Sequence, residues 1–183
     1  MTDLSAMLQR IQRLEDREEI YALVARYGLV MDDRDIAGMP QLFTPDVRVR
    51  SLDGVMDAHG RDEVVAMFRG RFEVLGPSNH FTHDKIISFG DDPDVATGTV
   101  LSHAEMNRKG KPMLAAIRYT DRYARHEGAW KIAERVFAFF YYIATEEYLD
   151  ALGEGKDLRM RAYDTHTAAD IPEGLDSWKS YYR

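Results

Sequence analysis

Four long runs of strand-like sequence, at roughly 79–89, 94–107, 112–126 and 129–142, are separated only by the short turn signals GDDP, NRKGKP and HEGA. Runs joined by so few residues fold back on their predecessors, which predicts an antiparallel meander. The chain before them reads differently. Leu4, Met7, Leu8, Ile11 and Leu14 share one helical stripe, and Ile20, Leu23, Val24, Tyr27 and Met31 share another. The first predicts an amphipathic arm over residues 1–15, either covering the domain or laid on a partner subunit; the second predicts a core helix. A short helical piece over 36–43 stops at Thr44-Pro45-Asp46, because proline disfavours helix in the residue before it. Val47 to Ser51 then predicts a strand, and a second short strand follows the Asp53-Gly54 turn. In GRDEVVAMFRGRFEVLG, residues Val64, Val65, Met67, Phe68 and Phe72 form the apolar face of a third helix.

Helices first and long strands afterwards predict the α+β class: a cone-shaped, curved antiparallel sheet wrapped by three N-terminal helices, with a pocket between them. The barrel domain is expected to span 1–144. Residues 145–183 form a C-terminal tail, with a possible helix in TEEYLDALG and an aromatic end in SWKSYYR, as a pocket cover or a subunit contact. At 183 residues the chain suits one domain. A formal charge of -7 without a basic cluster argues against nucleic acid. The absence of cysteine excludes disulfides and thiolate chemistry. Charges interrupt the N-terminal segment as they would not in a secretory signal, and no run approaches the roughly 18 apolar residues of a membrane span. A cytoplasmic protein without membrane contact is the expectation.

Asp32 stands where the second helix runs out, on the stripe of Tyr21, Ala25 and Gly28. A carboxylate there faces the negative end of the helix dipole and requires a compensating partner. Asp33 and Asp35 read as turn and capping residues. His80 and His83, in SNHFTHDKI, lie on opposite faces of a strand, so only one of them points into the cavity. A histidine bonded through one ring nitrogen to a carboxylate keeps the other nitrogen free to accept a proton. Arg135, in WKIAERVFAFFYY, shares strand parity with Phe137, Phe139 and Tyr141, and a guanidinium on that row needs an anion. That anion is either a carboxylate of the protein or a substrate oxygen. Tyr27, Met31, Met67, Phe68, Phe72, His83, Phe137 and Phe139 are the candidate substrate-binding residues. No metal site is expected, because no HExxH or comparable framework accompanies the six histidines. Dinucleotide, Walker and GxSxG motifs are absent.

RYGLVMDDRDIAGMPQLFTPDVRV, GRDEVVAMF, SNHFTHD and IRYTDRYARHEGAWKIAERV together resemble the SnoaL-like branch of the nuclear transport factor-like superfamily. Within it the likeness is to the scytalone dehydratase, hexachlorocyclohexane dehydrochlorinase and bile-acid 7α-dehydratase groups, over about residues 10–142. The resemblance implies cofactor-independent elimination or isomerisation. In it the catalytic Asp that ends the long helix falls on Asp32, the catalytic His that opens the third strand on His80, and a substrate-holding Arg on Arg135. Met31 stands where scytalone dehydratases carry a tyrosine, and Ser51 where ketosteroid isomerases carry their base, which disfavours the latter mechanism. The expectation is a lyase acting on a hydrophobic small molecule, polycyclic ones included. An isomerase or polyketide cyclase using the same pair, or a non-catalytic ligand-binding module, are the alternatives. A homo-oligomer, a trimer rather than a dimer, is implied as well.

Overall fold

Lys109-Gly110 and Glu127-Gly128 each place two consecutive residues at positive φ, 51° and 82° in one case and 52° and 78° in the other. This is the tight-turn geometry whose twist matches antiparallel strands. In the computed structural model, which describes residues 3–153, 159–160 and 166–182, these turns join β4 (Val95–Arg108), β5 (Lys111–His126) and β6 (Ala129–Ala144). With β3 (Leu75–Phe89) on the outer edge, they form the expected meander. β1 (Phe43–Ser51) and the short β2 (Asp57–His59) complete a six-stranded sheet ordered β2-β1-β6-β5-β4-β3.

The sheet differs from expectation in one way. It is mixed, because β1 runs parallel to β6, pairing Val49 with Arg135 and Ser51 with Phe137. It is open, with β2 and β3 as edges. Register shifts between Thr82 and Lys85, Ala116 and Ile117, and Arg122 and Tyr123 mark bulges that bend and twist the strands.

The arm and the core helix are one continuous element, α1 (Leu4–Asp32). Two α-helices, α1 and α2 (Arg61–Phe72), therefore pack on the sheet rather than three, together with a 3-10 turn at Met39–Leu42. Asp35 accepts the Gly38 N–H at 2.8 Å in the loop leading to that turn, whose own N-cap residue, Gly38, supplies no side-chain cap. Ile20, Leu23, Val24, Tyr27 and Met31 are buried, as their stripe predicts, whereas Leu4, Met7, Leu8, Ile11 and Leu14 are 45–67% exposed. The arm does not cover its own domain.

Between arm and core lies Asp16, which is buried. Its carboxylate accepts from Trp130 Nε1 and Gln12 Nε2, each at 3.1 Å, and pairs with Arg125, fastening α1 to the β5–β6 hairpin. Burial works to raise the Asp16 carboxyl, but the hydrogen bonds from Trp130, Gln12 and Arg125 outweigh it and hold the group below the ordinary range. The ionised form therefore stabilises the fold above the unfolded value of about 4, and this contribution is lost as pH falls through the lower folded value. Asp16→Asn is expected to cost about 2–3 kcal/mol at neutral pH. In urea titrations the gap from wild type should narrow below about pH 4; a gap that held constant down to about pH 2 would refute an ionic clasp.

The described tail residues follow the edge of β6 beyond the end of β1. Tyr142 N–H donates to Arg159 O at 2.7 Å, and the N–H groups of Asp170 and Ile171 reach Phe139 O at 3.0 and 3.2 Å. TEEYLDALG supplies a 3-10 turn and α3 (Tyr148–Leu152), and the aromatic end forms α4 (Asp176–Tyr181). Among the described residues no helix is long and apolar enough to cross a membrane.

Candidate active site

The carboxylate that ends α1 finds its partners on β3. Ser78 Oγ donates to Asp32 Oδ1 at 2.8 Å, the His80 backbone N–H donates to Oδ2 at 2.7 Å, and His80 Nδ1 lies 2.6 Å from Oδ1. Gly28, one turn earlier, faces the same strand, and a Cβ there would make ordinary van der Waals contact with His80 Cβ at 3.4 Å. Burial works to raise the Asp32 carboxyl. The ring and backbone hydrogen bonds of His80, its charge, and the Ser78 hydroxyl outweigh it and hold Asp32 below the usual carboxylate range. An ionised Asp32 accepts the proton on Nδ1, which leaves Nε2 as the free nitrogen. β3 begins at Leu75, so His80 sits inside the strand instead of opening it.

Arg34 extends this network. Directly after the helix it adopts φ 58°, and its guanidinium donates to Ser78 Oγ at 2.9 Å, to Gly76 O at 2.5 Å and to Met31 O. It also lies 4.3 Å over the Phe72 ring. Arg34, Ser78, Asp32 and His80 thus form an unbroken chain of hydrogen bonds. Nothing in the helical or strand periodicity marks Arg34 or Ser78.

The chain borders a cavity of about 80 Å³. Tyr27 and Met31 reach it from α1, Phe68, Arg71 and Phe72 from α2, Leu75, Ser78 and His80 from β3, Met106 from β4, Ala115 and Ile117 from β5, and Phe137, Phe139 and Tyr142 from β6. Arg34 and Met56 complete the lining. Ligand pockets commonly measure roughly 300–1,000 Å³. This space is smaller and admits the reacting end of a ligand.

Tyr27, Met31, Phe68, Phe72, Phe137, Phe139 and His80 line the cavity, Asp32 is bonded to His80 without itself lining it, and the three other candidates lie elsewhere. Met67, one position round α2 from Phe68, borders a separate depression with Val55 and Val74. His83 is on the outer face of the sheet, its Nε2 2.8 Å from His103 Nδ1, as alternation requires once His80 faces inward. Among the described residues no group of three possible ligands gathers for a metal ion. Arg135 is fully buried behind the wall. Its Nε and Nη2 donate to Asp121 Oδ1 and Oδ2 at 2.9 and 2.6 Å, and its guanidinium lies 4.2 Å from the Tyr27 ring and 4.3 Å from the Tyr119 ring. Its anion is a strand carboxylate and not a substrate.

Strict alternation from Arg135 points Tyr141 into the cavity. The bulge opposite Ala116 and Ile117 inserts Phe140 and reverses the parity, so Tyr142 lines the cavity while Tyr141 packs outside with Ile143 and Ala151. The sequence sets two cations, Arg69 and Arg71, between Phe68 and Phe72, and periodicity alone does not single out Arg71 as the one that lines the cavity.

A family model describing a SnoaL-like domain matches residues 12–136. No curated protein matches. Among solved structures, the chain is similar to a hexachlorocyclohexane dehydrochlorinase from Novosphingobium barchaimii, with 18% identity over 74% of this chain and 93% of that one and a TM-score of 0.68. It is similar to a candidate scytalone dehydratase from Novosphingobium aromaticivorans, with 18% identity over 74% and 91% and a TM-score of 0.68. An NTF2-like protein with a cystatin-like fold from the same organism shares 26% identity over 76% and 92%, with a TM-score of 0.62.

Proposed function

The chain belongs to the SnoaL-like domain family of the nuclear transport factor-like superfamily, and on that premise we propose that it is a cofactor-independent lyase acting on an apolar small molecule. His80 is the general base and Asp32 its orienting partner. One observation carries the reading: a histidine fixed to a carboxylate through Nδ1 at 2.6 Å borders a mostly apolar cavity. His80 Nε2 takes a proton from a substrate carbon, the C–H electron pair becomes the new double bond, and the leaving group departs from the adjacent carbon with its own pair. Asp32 stays ionised and stabilises the imidazolium. The step balances without an oxidant or reductant. Two similar structures, of a dehydrochlorinase and a candidate scytalone dehydratase, supply the first compounds to try.

Incubation with hexachlorocyclohexane and with scytalone, followed by mass spectrometry, is expected to give a product lighter by hydrogen chloride or by water. A product of unchanged mass would move the assignment to an isomerase using the same pair. No conversion of either compound, together with saturable binding of one, would favour a ligand-binding module.

A further inference from the structure

Among the described residues the cavity wall carries two guanidinium groups, Arg34 and Arg71, and no carboxylate. Arg34 is already satisfied, since its donors are taken by Ser78 and two carbonyls, and through Ser78 it faces the charge of Asp32. Arg71 is different. Among the described residues its guanidinium has no ion-pair or hydrogen-bond partner. A cation in the last turn of a helix is favourable there, but one with only that role would extend into water, whereas Arg71 is half-buried. The residues one turn before it, Met67 and Phe68, are apolar. Burial drives the Tyr27 phenol up, and Arg135 and Arg71 pull against it, so the Arg71 charge reaches the cavity wall. With Arg34 offset by Asp32, the cavity retains one uncompensated positive charge, in a planar fork suited to a carboxylate.

We propose that Arg71 is an anion-binding site in this cavity and that the ligand is an apolar carboxylate, held by Arg71 through its carboxylate with its body against the aromatic wall. The substrate class so named rests on the reading of the cavity as the active site, but anion binding is measurable without turnover. The probes are benzoate, 3-phenylpropionate and octanoate, each compared with its methyl ester by isothermal titration calorimetry on the full chain. At least one acid is expected to bind roughly 10- to 100-fold more tightly than its ester. Arg71→Met should abolish that preference while leaving ester affinity unchanged, Arg71→Lys should retain part of it, and His80→Gln should retain it fully. Equal binding of acid and ester, binding of none of the acids, or a preference that survives Arg71→Met in a variant with wild-type Tm would overturn the proposal. If the preference is lost only with Arg71 while His80→Gln leaves turnover intact, the anion site stands and the general-base reading falls.

Discussion

Asp121→Ala is expected to destabilise the fold by about 3–5 kcal/mol, because it leaves a buried guanidinium without its counter-charge. Arg135 and Asp121 are 0% and 2% exposed and are joined by two hydrogen bonds. Tyr123 Oη donates to the same carboxylate at 2.6 Å, so the substitution also strands a phenol. The rings of Tyr27 and Tyr119 flank the cation and lessen its isolation, but a ring quadrupole, worth about 2 kcal/mol or somewhat more in a desolvated site, does not replace an ion pair. In a chain of this length the loss corresponds to a fall of roughly 6–20 °C in Tm. Chemical denaturation measures it directly. The double variant Asp121→Leu, Arg135→Met removes both charges together and should recover much of the loss, since apolar replacements of a buried pair are often neutral. A single variant within about 1 kcal/mol of wild type would mean that Arg135 had found another anion or remained hydrated.

This pair also marks the limit of sequence reading. The need of Arg135 for an anion is legible, because a charge on an aromatic strand row cannot stay unpaired. The identity of that anion is not. Counting outward from the Glu127-Gly128 turn, the outer hairpin pairs Tyr123 with Ile132, and unbroken register would then set Asp121 opposite Glu134. The shift between Arg122 and Tyr123 sets Asp121 opposite Arg135 instead. A one-residue bulge thereby decides which charges meet, and it has no composition of its own here. The same applies to Tyr142, which a second bulge turns inward. What could be read was local: the stripe from Ile20 to Met31, the two tight turns, and the alternation that separates His80 from His83. The fusion of arm and core into one helix was hidden by the change of stripe after Leu14, since periodicity reports which face is buried and not whether the backbone continues. The parallel pairing of β1 with β6 joins segments far apart in the chain, where no turn chemistry sets the register.

Asp32→Asn is expected to lower turnover on the order of 10²- to 10⁴-fold while leaving the fold in place, equivalent to about 2.7–5.5 kcal/mol of lost barrier reduction. The hydrogen-bond directions explain why so small a change should matter. Asp32 Oδ2 faces the His80 backbone N–H, which can only donate, so the amide oxygen of the variant must take that side. The amide nitrogen then occupies the place of Oδ1, facing Ser78 Oγ and His80 Nδ1. Ser78 can accept from it, and Nδ1 must accept as well. A neutral imidazole that accepts at Nδ1 carries its proton on Nε2, the nitrogen assigned to take the substrate proton. The base is then blocked by its own tautomer although no side chain has moved. His80→Ala should lose activity to a similar extent, and the double variant little more, because the two residues act as one unit. Nitrogen-15 spectra of the His80 ring report the tautomer independently of rate. Turnover within about threefold of wild type, in a variant whose ring is shown to carry its proton on Nε2, would remove His80 from the proton-transfer step.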